Sequence, residues 1–244
     1  MFTFLNKARN LTSLDWLGLD IHSHLLPGLD DGCPDLKTSL AYIARLEILG
    51  LTRFYATPHV HTELYPNTPE TILPTLKNVV EALPPGIELN AAAEYMVDDS
   101  FATTLSNGGQ LLTLPNNHVL IEMSYAAESL RIEQVIFDLQ VRGYKPILAH
   151  PERYIFYHVR PERYQQLKDL GCLLQMNLLS PTDYYAPQVK KAARYLLKRG
   201  MIDFVGTDLH HHKHLVAIEK FVLSGYAHGL FKKNPIKNQE FDRT

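Results

Sequence analysis

Short apolar segments alternate with longer amphipathic ones seven times along this chain, and that alternation restricts the fold more than any other feature. The short segments read as strands at 17–21, 53–56, 87–93, 118–121, 146–149, 173–176 and 204–206. The segments between them read as helices. The first carries Leu36, Leu40, Ile43, Leu46 and Leu49 at three- and four-residue steps and stops at Gly50. Thr68-Pro69-Glu70 supplies a cap and first turn for a second helix, with Leu73, Leu76, Val79, Val80 and Leu83 on its apolar side. A short helix is expected after Asp98. Others run through Leu130, Val135, Phe137 and Leu139 to Gly143, from Pro161 to Gly171, from Pro187 to Gly200, and from about His214 to Gly229.

Strands that alternate with helices are joined by crossovers, which makes them parallel. Two closures satisfy this pattern, an open doubly wound sheet or a barrel. The first strand-to-helix turn lacks Gly-x-Gly-x-x-Gly, which weakens a dinucleotide-binding sheet. A chain of 244 residues, 45% of them hydrophobic, suffices for one sizeable core. The expected organisation is an N-terminal extension at 1–17, one domain at 18–231 and a polar, loose tail at 232–244.

Composition removes several functional classes. A formal net charge of -2 gives no global basic surface for nucleic acid. The two cysteines, Cys33 and Cys172, argue against a disulfide framework and for a reducing compartment. The start of the chain is broken by Asn6, Lys7, Arg9 and Asn10 and does not read as a signal peptide. No apolar run approaches membrane-spanning length. The expected setting is therefore cytoplasmic.

The placement of metal-type side chains is more informative than their number. His22 and His24 follow the first strand, His59 the second, Glu94 the third, Glu122 the fourth, His150 the fifth, and Asp208 and His210 the seventh. In a barrel those strand ends converge on one face. Core packing offers no reason for an apolar run to end repeatedly in an ionisable side chain, because unpaired buried charge is costly. Each residue alone reads more readily as an ordinary hydrogen-bonded or exposed side chain; the agreement in position is what points to one shared site. Imidazole and carboxylate together suit Zn, Mn, Fe or Mg, and the number of donors suits more than one ion, with Glu94 placed to bridge.

Taken together, Asp20-Ile-His-Ser-His24, Asp30-Asp-Gly32, Ala56-Thr-Pro-His59, Ala93-Glu94-Tyr95, Glu122, His150-Pro-Glu-Arg153-Tyr154 and Thr207-Asp208-Leu-His210 resemble the polymerase-and-histidinol-phosphatase (PHP) family. The resemblance is closest to its bacterial protein-tyrosine-phosphatase branch, linked to capsule and exopolysaccharide biosynthesis. It extends from about Asp20 to Gly229. It implies a distorted seven-stranded β/α barrel and a trinuclear site, usually of manganese, with iron or zinc as alternatives. By position, His22, His24, Glu94 and Asp208 would hold a first ion. Glu94, Glu122 and His150 would hold a second, and Asp31, His59 and His210 a third. Arg153 matches the family's phosphate-binding arginine. The chain departs from the family in its leading residues and in the run His210-His211-His212-Lys213-His214, where only His210 has the matching spacing and the other histidines are expected to be solvated.

The implied chemistry is attack of a metal-activated hydroxide on a phosphate monoester, with three divalent ions and Arg153 outweighing four ligand carboxylates. A planar guanidinium presents paired donors to phosphate oxygens. The cysteine route needs an arginine six positions beyond the thiol, where this chain has Ser39 and Leu178. Tyr95, Tyr154, Phe156, Tyr157, Tyr184 and Tyr185 lie near strand ends and could flank an aromatic substrate. The expected substrate is a phosphotyrosine protein, by resemblance an autophosphorylated bacterial tyrosine kinase. A small-molecule phosphatase of the histidinol-phosphate kind and a non-catalytic metal-binding scaffold are the competing readings.

Overall fold

A computed structural model describes residues 11–243; the opening residues, including Asn6, Lys7, Arg9 and Asn10, lie outside the described residues. The helix signals of the sequence act as expected. Asp35 accepts a hydrogen bond from Thr38 N and starts α1 (Leu36–Ile48), which buries Tyr42, Ile43 and Leu46. The chain continues through β1 (Arg53–Ala56), β2 (His59–Val60), α2 (Pro69–Val80), β3 (Glu88–Ala91), β4 (Glu94–Met96), α3 (Asp99–Ser106), β5 (His118–Glu122) and α4 (Ile132–Val141). It then forms β6 (Lys145–Ala149), α5 (Ile155–His158), α6 (Glu162–Asp169), β7 (Leu173–Asn177), α7 (Pro187–Lys198), β8 (Phe204–Gly206), α8 (His212–Leu223) and α9 (Tyr226–Phe231).

All strand pairs are parallel. The order β2-β4-β5-β6-β7-β8 makes a six-stranded sheet, and β1 pairs with β3 in a two-stranded one. The ladders therefore form a curled α/β sheet with helical crossovers, not one seven-stranded ring. Two differences from the sequence expectation have local causes. The second and third expected strands form as β1 and β3, and each is followed by a further short strand, β2 and β4, that the sequence did not indicate; the ladder is interrupted between them because Pro58 has no N–H to continue it. The lines resume beyond the break: Ala92 N donates to Ala56 O and Glu94 N to Pro58 O.

The first expected strand, 17–21, makes only an isolated parallel bridge between Asp20 and Phe54. On one side Asp20 N donates to Arg53 O and Tyr55 N to Asp20 O; on the other, Asp208 N donates to His22 O and His24 N to Leu209 O. The Asp20 carboxylate, not a main-chain carbonyl, takes Thr207 N at 3.0 Å and His22 N at 3.3 Å. A side chain in place of a ladder acceptor explains why no regular strand forms there. Gly206 permits the close approach, since a Cβ there would lie 2.5 Å from the His22 Cβ.

Alternate strand residues divide the core. Val119, Ile121, Leu148, Leu174, Met176 and Val205 pack in the larger cluster with the buried faces of the helices. Leu120, Ile147, Ala149 and Phe204 join Leu19, Ile21 and Phe241 in a second cluster. The tail expected to be loose contributes to it. Phe241 stacks on Phe204 at 5.2 Å, and the fully buried Asn238 donates to Leu19 O and Val205 O and accepts from Val205 N. Asn238→Ala leaves three buried main-chain groups without partners and is expected to lower stability by roughly 2–4 kcal/mol in urea denaturation.

Candidate metal centre

The ionisable residues singled out in the sequence meet on the face formed by the carboxyl ends of β5, β6 and β8. Glu122 closes β5, His150 follows β6, and Asp208 and His210 follow β8. His59 and Glu94 open β2 and β4, which continue the lines of β1 and β3, and they stand side by side in register. His22 and His24 lie on the extended segment between β1 and the residues after β8.

Glu94 is the hub. Its Oε2 lies 3.2 Å from His22 Nε2, 3.1 Å from His59 Nδ1 and 3.5 Å from His24 Nε2, and its Oε1 lies 3.1 Å from His150 Nε2. Asp208 Oδ1 is 3.4 Å from His22 Nε2, His24 Nε2 and His210 Nδ1. His59 Nδ1 also lies 2.8 Å from Glu122 Oε1. Among the described residues, donor atoms converge within 4.8 Å in four triads: His22, His24 and Asp208; His22, Glu94 and His150; His59, Glu94 and Glu122; and His24, His59 and His210. The grouping differs in detail from the one implied by resemblance. Glu122 sits with His59 as well as Glu94, and His150 sits with His22. Asp31 joins no triad, but its Oδ1 lies 3.6 Å from Nε2 of both His59 and His210.

The residues present fit divalent cations. His22 Nδ1 pairs with Gln175 Oε1 at 2.9 Å and His24 Nδ1 with Asp30 Oδ2 at 2.7 Å. Those bonds assign the N–H to Nδ1 and turn both Nε2 lone pairs inward, where the two nitrogens face each other at 3.4 Å. Two facing acceptors call for a cation between their neighbours. His150 Nδ1 is buried without a hydrogen-bond partner, and His59 Nδ1 and Glu94 Oε2, although 3.1 Å apart, are not aligned as a hydrogen bond, which is costly unless something else satisfies these atoms. The electrostatics agree. Burial alone would raise Glu94 and Asp208, yet the surrounding histidines hold both well below the usual carboxylate range. Conversely, burial would lower His59, but Glu94 and Glu122 raise it to about 10. Burial, reinforced by His24, lowers His210 to about 4. His150 and Asp208 hold left-handed backbone, with φ of 36° and 51°, a strain that clusters at functional sites.

Asp30, Gln175 and Asn177 support the site without a role assigned from the sequence, and Glu152 orients its loop. Asp30, not only its neighbour Asp31, belongs to the site: burial would raise it, but His24 and His59 bring it to about 2. Gln175 and Asn177 occupy one face of β7; Asn177 Nδ2 donates to Asp208 Oδ2. Glu152 accepts from Asn177 N and Ser180 Oγ and so ties β7 to the loop carrying Arg153. Gln175→Leu removes the partner that fixes the His22 tautomer, and is expected to weaken divalent-metal affinity by roughly 10–100-fold in a competition titration with a chelator.

A cavity of about 250 Å³ opens over this centre, lined by Asp31, Glu122, Tyr125, Arg153, Tyr184 and Tyr185 among others. Arg153 Nη1 donates to Asp208 Oδ2 at 3.0 Å. Of the histidine run, His211 and His212 are exposed as expected, whereas His214 is buried. His211 Nδ1 accepts from His214 N at the start of α8, and His212 Nδ1 contacts Arg45. His214 is buried against Tyr184, with ring centroids 5.0 Å apart, and burial pushes it down to about 3. Of the tyrosines proposed as flanking groups, Tyr184 and Tyr185 line the cavity. Tyr154 and Tyr157 are fully buried, and Tyr95 stacks on Phe101.

Residues 18–237 match the family described as capsular polysaccharide synthesis, CpsB/CapC. The chain belongs to that family. It is 30% identical over 205 residues to the tyrosine-protein phosphatase YwqE of Bacillus subtilis, covering 80% of this chain and 78% of that protein. It is 26% identical over 203 residues to the tyrosine-protein phosphatase CpsB of Streptococcus pneumoniae, covering 79% and 82%. Among solved structures, one from a study of YwqE from Bacillus subtilis and CpsB from Streptococcus pneumoniae, described as unique metal-dependent tyrosine phosphatases, superposes with a TM-score of 0.75 at 26% identity. That match covers 89% of this chain and 96% of the other. No helix among the described residues is long and apolar enough to cross a membrane.

Proposed function

We propose that this chain is a divalent-metal-dependent phosphatase that hydrolyses phosphotyrosine on proteins. The observation that carries the reading is the convergence of histidine and carboxylate donors about Glu94, with the Arg153 guanidinium on the wall of the same cavity. The names of the CpsB and YwqE relatives support the substrate class.

His22, His24, Glu94 and Asp208 would hold one ion, Glu94, Glu122 and His150 a second, and Asp31, His59 and His210 a third, with manganese favoured over iron or zinc. Bound divalent ions would supply Lewis acidity toward the phosphoryl group and lower the pKa of a water at neutral pH. The chain's own residues do the remainder. Gln175 and Asp30 hold His22 and His24 in the tautomer that points Nε2 inward. Arg153 presents edge donors to phosphoryl oxygens, and the cavity excludes part of the solvent that would compete for them.

The domain we assign spans 18–231, with the tail packed on it. In this reading segment 17–24 stands as the seventh staff of a closed ring, using its hydrogen bonds to β1 and to the residues after β8. The protein acted on would be an autophosphorylated tyrosine kinase of a capsule or exopolysaccharide system. The free, buried thiols of Cys33 and Cys172 suit a cytoplasmic setting.

The decisive assay compares a phosphotyrosine peptide with histidinol phosphate, side by side with manganese. Faster release of phosphate from the peptide is expected. Faster turnover of histidinol phosphate would replace this reading with the small-molecule one, and no turnover of any aryl phosphate would leave a metal-binding scaffold.

A further inference from the structure

The Arg153 guanidinium lies over two aromatic rings. Its carbon is 4.7 Å from the centroid of Tyr125 and 4.8 Å from that of Tyr185. Both rings line the cavity over the donor cluster. They come from different loops, Tyr125 from the segment after β5 and Tyr185 from the segment before α7. Each is held from behind. Tyr125 packs beside the rings of His150 and Tyr154, both at 5.8 Å. The Tyr185 hydroxyl lies 3.4 Å from Asn177 Nδ2 and from His214 Nε2, and its ring meets Tyr184 edge-on at 5.0 Å.

A guanidinium donates only in its own plane. Ring neighbours therefore remove water from Arg153 without taking its donors, and they restrict its rotation. One donor goes to Asp208 Oδ2, and among the described residues no other acceptor is bonded to the group. The rest of the edge remains for an anion in the cavity. Burial would weaken the cation, but Tyr125, Asp208 and Tyr185 offset this and raise its pKa.

We infer that Tyr125 and Tyr185 are positioning residues that clamp Arg153 in the plane needed to grip a phosphoryl group, and that the same two rings form the wall met by the ester's organic portion. This rests on the phosphatase reading above and adds to it a basis for preferring aryl over alkyl phosphates: an aryl ester group stacks on rings that an alkyl group only touches. Tyr125 is the more informative of the two, because its hydroxyl has no hydrogen bond among the described residues and its ring is the contribution under test.

The test uses metal-loaded full-length protein, with Tyr125→Leu, Tyr185→Leu and Tyr125→Phe. Binding of inorganic phosphate is measured by calorimetry, alongside kcat and KM for phenyl phosphate and an alkyl phosphate of equal charge. Metal content and thermal midpoint serve as controls. Tyr125→Leu is expected to weaken phosphate binding about 5–30-fold, the scale of a desolvated cation–π contact, and to raise KM for phenyl phosphate more than it lowers kcat. The aryl-to-alkyl ratio should fall, with metal content unchanged. Tyr125→Phe is expected to restore phosphate affinity to within about threefold of the parent, since the ring face is retained. Unchanged phosphate affinity in Tyr125→Leu, or equal damage in Tyr125→Phe, overturns the clamp. Should Tyr185→Leu not fold, the Tyr125 pair decides. Failure of the parent to hydrolyse any aryl phosphate would sink the phosphatase reading, while the phosphate-binding comparison would still judge the clamp.

Discussion

Glu94→Ala is expected to remove bound divalent metal and phosphatase activity together. Glu94 is fully buried, with both carboxylate oxygens committed to the centre: Oε2 faces His22, His24 and His59, and Oε1 faces His150. It belongs to two of the four donor triads, so its loss disables more than one site. Changing a residue that merely supports a ligand typically costs about 10–100-fold in metal affinity or activity. Loss of a shared ligand should exceed about 100-fold on the same scale. Elemental analysis after dialysis, paired with an aryl phosphate assay, checks both halves. Full metal content in Glu94→Ala would refute its bridging position, even if activity were lost.

Arg153→Ala should give the opposite separation, with metal retained and turnover lost. The side chain touches Asp208 Oδ2 by one donor, whereas Asp208 Oδ1 faces the histidines. Removing Arg153 therefore leaves the inward oxygen in place. Withdrawal of one preorganised donor from a developing oxyanion costs roughly 10²–10³ in rate, and a comparable fall in kcat/KM is expected here. Arg153→Lys should recover little of it. An ammonium is a point charge without the planar fork, and it lacks the flat, delocalised surface that a guanidinium offers to the rings of Tyr125 and Tyr185. A fall of less than about tenfold in Arg153→Ala would mean that phosphate is held elsewhere.

The parts of this arrangement that the sequence discloses are those tied to strand ends. Glu122, His150 and Asp208 each terminate an apolar run, and parallel alternation brings such ends to one face without any knowledge of distances. Residues that act from loops carry no such signal. Asp30 and Asp31 are adjacent and chemically alike, and spacing does not say that Asp30 turns inward to His24 while the Asp31 side chain stays 59% exposed. Gln175 and Asn177 look like ordinary polar residues of a strand until their partners across the site are known. Tyr125 sits three residues beyond Glu122 with nothing in the local pattern to mark it. The first segment misled for a different reason. Leu17, Leu19 and Ile21 are buried as a strand would be, but the Asp20 side chain substitutes for main-chain bonding there, an exchange that hydrophobic alternation does not register.

The candidate ligands begin at His22 and finish at His210, so no stretch of the chain carries a complete set. An ion that binds there recognises the assembled molecule and has little to hold in an unfolded one. Loading and folding are then one equilibrium, and free metal at a hundred times its dissociation constant would add about 2.7 kcal/mol per site to the folded form. The supply of metal in the cell would thus govern how long the protein survives proteolysis as well as how fast it works, and starvation for the ion would be felt first as a loss of molecules.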